Sequence, residues 1–98
     1  MFINIIRSTR DVVAICDAEL LGKYFEEGLL QLNVKENFYK GDQVNEEEAI
    51  ETLHHMLLED ATFNIVGHKS TQAAIKAGII SEEEIGEIQG IPFALILG

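Results

Sequence analysis

Three stretches of this chain gather residues able to do chemistry. The first is Asn64-Ile65-Val66-Gly67-His68-Lys69-Ser70-Thr71, which reads as a strand passing through a glycine into a helix. A helix start leaves its first backbone N–H groups without partners, and the helix dipole adds positive charge there. Gly67, His68, Lys69, Ser70 and Thr71 therefore have the makeup of a site for a small anion, a phosphate or a carboxylate, with side-chain donors from Lys69, Ser70 and Thr71. A single glycine falls short of a glycine-rich loop and the Walker spacing is absent. The pattern thus favours the plainer reading, a strand-to-helix turn in which glycine allows close packing.

The second stretch is the polar corner Cys16-Asp17-Ala18-Glu19, with Lys23 following. It ends an apolar strand, where α/β proteins commonly place ligands. Asp17, Glu19 and Lys23 could orient a polar substrate or move a proton, and Cys16 is a conceivable nucleophile with no histidine near it in sequence. Structural roles account for the same residues: Asp17 as the N-cap of the next turn, Glu19 as its dipole partner, Cys16 as a small buried apolar residue. The third stretch is His54-His55, with Glu51, His55 and Glu59 on one helical stripe. Metalloprotease-type sites need two histidines at that spacing with a glutamate between them. That ligand set is incomplete, so no metal and no other cofactor is expected.

Positioning these residues requires a sheet and helices. Residues 2–7 (FINIIR) and 11–16 (DVVAIC) read as strands joined by a short turn, the second apolar enough to lie centrally. Asp17 can open a single helical turn, Ala18–Leu21, that Gly22 stops. Residues 29–34 alternate as a third strand, with Leu30, Leu32 and Val34 on one face, and Asn37–Gly41 reads as a loop carrying Phe38 and Tyr39. Asn45 and Glu48 form a variant capping box opening a helix over about 46–58, whose apolar face is Ala49, Ile50, Leu53, Met56 and Leu57. Residues 61–66 make a fourth strand, about 68–77 a shorter helix ending at Gly78, Ser81 with Glu84 one more turn, and 93–97 a last strand. That last strand, IPFALIL with its lead-in, suits either a central position or an edge that pairs with a second copy in a homodimer. The expectation is a single α+β (mixed α/β) domain over 1–98, with two helices packed on one sheet of four to five strands.

Composition excludes several classes of function. The 98 residues hold seven Lys and Arg against 17 Asp and Glu, a formal net charge of −10. Nucleic-acid affinity rests on basic residues neutralising phosphates, so direct RNA or DNA binding is disfavoured unless Lys23, Lys69 and Lys76 meet on the folded surface. An anionic membrane surface is disfavoured likewise. One cysteine permits no internal disulfide, the N-terminus lacks a signal-peptide pattern, and no apolar run reaches the roughly 20 residues of a spanning helix. The chain reads as cytoplasmic.

The segments VVAICDAELLGKYFEEG, NFYKG, ATFNIVGHKS, AIKAGII and EIQGIP, in this order, resemble an archaeal family defined only as domain of unknown function 424. The resemblance runs from about Val12 to Pro92 and is most specific at Cys16-Asp17 and Leu20-Leu21-Gly22-Lys23. It implies a small archaeal α/β protein near the translation machinery and carries no established reaction. Relatives tend to read Gly-Val-Pro-His-Ala-Gln where this chain has Gly90-Ile91-Pro92-Phe93-Ala94-Leu95, so two polar positions are apolar here. Resemblance and residues together suggest a non-catalytic module acting through a protein partner. The alternative is a small-anion binding protein or enzyme using the Gly67 turn.

Overall fold

The computed structural model describes residues 1–97. Eight strands and three helices follow in the order β1 (Phe2–Ile6), β2 (Val12–Cys16), β3 (Tyr24–Glu27), β4 (Leu30–Asn33), α1 (Glu36–Tyr39), β5 (Asp42–Gln43), α2 (Glu46–Leu58), β6 (Thr62–Val66), α3 (His68–Lys76), β7 (Gly86–Ile88) and β8 (Ile91–Ile96). Single 3-10 turns lie at Ala18–Leu20 and Glu82–Glu84. The fold is α+β, as the sequence indicates, but its sheet has six strands rather than four or five, in the order β5-β1-β2-β6-β8-β7. The strand expected over 29–34 does not join it. β4 pairs instead with β3, a strand the sequence reading missed, in a separate two-stranded sheet. Glu26 and Glu27 are poor strand formers and both are exposed, so neither propensity nor alternation signals β3.

β2 is central, as its apolar content implies: Val13, Ala14, Ile15 and Cys16 are all fully buried. It pairs antiparallel with β1 and parallel with β6, with Cys16 opposite Val66. β8 lies between β6 and β7, but β7 covers it only over Ile91–Phe93, so the end of the strand, Ala94–Ile96, pairs with β6 alone. The β7–β8 hairpin closes through Gln89 and Gly90, both at positive φ, the backbone that a tight two-residue turn requires.

Two cores occupy the two faces of the sheet. On one face α2 and α3 bury Leu53, Met56, Ala73, Ala74 and Ala77 against Val13, Ile15, Phe63 and Ile65. On the other face Ala14, Cys16 and Val66 meet Leu20, Val34 and Tyr39, with Phe25, Leu32, Phe38 and Phe93 packed around them. This second layer consists of α1 and the β3–β4 hairpin. Asn37–Tyr39, expected as loop, is a helical turn because Phe38 and Tyr39 pack together onto the sheet, their rings edge to face at 5.1 Å.

The capping box on α2 is fully formed. Asn45 Oδ1 accepts from the Glu48 N–H at 2.8 Å, and the Asn45 N–H donates to Glu48 Oε1 at 3.0 Å. Asn45→Ala is therefore expected to cost about 1 kcal/mol. Leu53→Ala, which empties a fully buried site, is expected to cost roughly 2–5 kcal/mol. Urea unfolding of both variants checks the ordering, and equal losses would contradict it.

Candidate functional site

The parallel pairing of β2 with β6 brings the C-terminal ends of both strands side by side. The Asp17 N–H donates to the Val66 carbonyl at 3.0 Å, so the ladder runs on by one residue. This places the first two candidate stretches in contact. Asp17 does not cap the turn that follows it, to which its side chain makes no bond. Its carboxylate crosses to the start of α3, 52 residues on. Oδ2 accepts from the Lys69 N–H at 3.0 Å, and Oδ1 accepts from the Ser70 N–H and the Ser70 hydroxyl, each at 2.8 Å. Distance in the fold, which spacing along the chain cannot show, is why the local-cap reading of Asp17 is corrected to a long-range one.

The donors that the Gly67 turn offers to an anion thus face a carboxylate of the same chain. Asp17 and Ser70 are buried, Asp17 at 4% exposure and Ser70 at 0%. Thr71 turns inward as well, its hydroxyl donating to the Gly67 and His68 carbonyls at 2.8 and 3.2 Å. Gly67 is required twice over. Its φ of 112° lies where side chains are strained, and a Cβ there would overlap the Asp17 carboxylate. The side chains of His68 and Lys69 are exposed. Lys69 borders a shallow groove of about 380 Å³ with Met1, Val44, Asn45 and Glu46. Glu19 and Lys23 also stand on exposed surface, apart from the Asp17 contacts.

Cys16 lies on the opposite face of the sheet from α2 and α3. Burial, followed by the neighbouring Asp17 charge, pushes its thiol up to about 11. At neutral pH it is a protonated thiol, which disfavours a nucleophilic role. On α2, His55 Nε2 stands 3.8 Å from Glu59 Oε1 on exposed surface, and His54 Nδ1 lies 3.3 Å from the Ala77 carbonyl. Among the described residues no three His, Cys, Asp or Glu side chains are grouped to hold a metal. Lys76 pairs with Glu46 at 3.0 Å. Among the described residues no helix is long and apolar enough to cross a membrane.

A further site, which sequence reasoning did not identify, is a cleft of about 190 Å³ on the hairpin side of the sheet. Gln31 and Leu32 of β4 and Tyr39 of α1 form one wall, and Asn64, Val66, Phe93 and Leu95 form the floor. Leu95 is 55% exposed, at the end of β8 that β7 does not cover. Tyr39 is buried beside Cys16, and burial followed by the Cys16 charge raises its phenol to about 12. The cleft arises where the hairpin covers only part of the face, a tertiary outcome. Its one local signal is Asn64, a polar residue inside the apolar run Ala61–Val66.

Two measurements test these assignments. Asp17→Ala leaves two backbone donors and a buried hydroxyl without their acceptor and is expected to cost about 2–3 kcal/mol, a fall in Tm on the order of 10 °C. Millimolar formate should recover part of that loss in the variant and leave the parent unchanged, and equal effects on both would contradict the assignment. The second concerns alkali. The Cys16 and Tyr39 pKa values are raised in the folded state, so the unfolded chain loses these protons first as pH rises. Their stabilising contribution is complete below about pH 9 and is lost between the unfolded and folded values, from about 9.0 to about 11 for Cys16 and from about 10.0 to about 12 for Tyr39. Cys16→Ala should flatten the fall in Tm between pH 9 and 11, and an unchanged profile would refute the assignment.

Comparisons with known proteins agree with this architecture. A crystal structure described as that of an uncharacterized conserved protein from Methanopyrus kandleri superposes with a TM-score of 0.87 at 27% sequence identity, covering 97% of this chain and 88% of the other. No curated protein matches the chain. The family model described as "Protein of unknown function (DUF424)" matches residues 6–98, and the chain belongs to that family.

Proposed function

We propose that the protein is a non-catalytic interaction module that contacts a protein partner through the cleft between the β3–β4 hairpin and β6–β8. The observation that carries this reading is the makeup of the cleft. An apolar floor of Val66, Phe93 and a half-exposed Leu95 is set with the amides of Gln31 and Asn64, and no charged side chain lines it. Its 190 Å³ is smaller than the roughly 300–1,000 Å³ of small-molecule pockets. It suits one anchoring side chain of a partner, the usual centre of a protein interface.

The alternative, anion binding at Gly67, is less well supported, because the donors it needs already serve Asp17. An external phosphate would have to displace a buried carboxylate held by three hydrogen bonds.

Position-specific crosslinking tests the proposal. A photoreactive residue at position 95 in the full chain is expected to give one dominant protein adduct in native extract. The same residue at position 58, where Leu58 is 73% exposed on α2, is expected to give none. Leu95→Glu should abolish the adduct formed by a second photoreactive residue at position 31 and change stability by less than about 0.5 kcal/mol. Equal labelling from positions 95 and 58 would overturn the reading.

A further inference from the structure

We infer that the partner enters the cleft as an extended segment, added as a strand to the free edge of β4, with apolar side chains alternating with basic ones. This rests on the cleft being the contact surface, and it specifies the mode of contact and the chemistry of the partner.

The free edge follows from the hairpin register. β3 and β4 form a sheet of their own, so β4 has no strand on its other side. Glu27 pairs with Leu30 across the two-residue loop Gly28-Leu29, and Phe25 with Leu32 two positions on. A two-residue loop closes on a hydrogen-bonded pair, and such pairs alternate with non-bonded ones along an antiparallel ladder. The backbone groups of Leu30 and Leu32 therefore point to β3, and those of Gln31 and Asn33 point away from it. Gln31 lines the cleft. Its outward N–H and carbonyl are the template a strand-adding segment uses.

The floor supplies the second half of recognition. A strand placed beside Gln31 directs every other side chain towards the main sheet. There it meets Val66, Phe93 and Leu95. Asn64, flanked in register by Ala14 and Leu95, presents an amide among them. Among the described residues no hydrogen bond is made by that amide, so it is available to a backbone group of the incoming segment.

Charge selects the remaining side chains. Glu26 stands directly across the hairpin from Gln31 and is exposed, whereas Glu27 faces the other way and its Oε1 accepts from the Gln89 N–H at 2.8 Å. The chain as a whole carries −10. A second copy would bring the same net charge to the same edge, whereas lysine or arginine at the solvent-facing positions of a segment would meet the Glu26 carboxylate in the field of an acidic chain. The occupant is therefore a different, basic protein.

An acetylated and amidated hexapeptide of alternating valine and lysine is the probe. Titrated at millimolar concentration into the 15N-labelled full chain, it is expected to shift the amides of Gln31 and Asn33 together with those of Phe93–Leu95. The matching valine–glutamate peptide should shift none of them. Gln31→Pro removes an N–H that the hairpin does not use, so Tm should hold within about 2 °C while affinity falls at least about fivefold. Absence of shifts at Gln31 and Asn33, undiminished binding by Gln31→Pro, or sedimentation as a dimer would each overturn strand addition. If crosslinking from position 95 still yields a single partner, the interaction reading stands and only this mode of contact falls.

Discussion

The contact on which the rest of this structure depends is the carboxylate of Asp17 against the first turn of α3. A carboxylate taken out of water carries a large desolvation cost unless hydrogen bonds and a favourable field offset it. Here three donors converge on it from a helix N-terminus. The contact is possible only because β2 and β6 run parallel in a register that brings Cys16 opposite Val66. It in turn fixes where α3 begins, hence which face of α3 meets the sheet. Gly67 sits at the centre of this junction. Its N–H donates to the Pro92 carbonyl at 2.8 Å, so β8 is tied to the same point. Three central strands and one helix thus share a corner that only glycine can occupy.

That corner separates two unlike halves. On the helix side, α2 and α3 seal the sheet with a continuous aliphatic core. On the other side, a four-residue helix and a short hairpin cover the sheet less completely and leave the end of β8 exposed. Two-layer packing demands that a sheet bury both faces or present one polar face to water. The exposed end of β8 does neither completely: Leu95 and Leu97 are 55% and 68% exposed. This mismatch, more than any catalytic grouping, distinguishes the molecule.

What the sequence made legible were features whose physics is local. The Asn45–Glu48 capping box, the apolar stripe of α2, the stop at Gly78 and the apolar strands β2 and β6 are all set within a few residues of chain, and all were readable. What escaped was set by distant contacts. β3 carries two exposed glutamates and is held by pairing with β4. α1 is a turn of helix because Phe38 and Tyr39 pack onto the sheet. The Asp17 corner and the Gly67 turn were both singled out from their residue types, but as alternatives. Nothing local says that the carboxylate of one satisfies the donors of the other, because 52 residues lie between them.

The same distinction bears on positions 93 and 95, where this chain has Phe and Leu in place of the polar residues of the pattern it resembles. Residues two apart on a strand share a face. Phe93 and Leu95 both line the cleft, so whatever stands at 93 and 95 faces it. Phe93 closes the inner end of the cleft against Gly86, where a Cβ would come within 2.7 Å of the ring. Leu95 lies at its open end. Exchanging Leu95, more than half exposed, alters the cleft surface alone, whereas exchanging Phe93 also alters the core it packs against. At Leu95 the fold and the contact surface are therefore separable. The fold is carried by the Asp17–Gly67 junction and the helix-side core, and under the proposed reading specificity rests on the side chains that line the cleft.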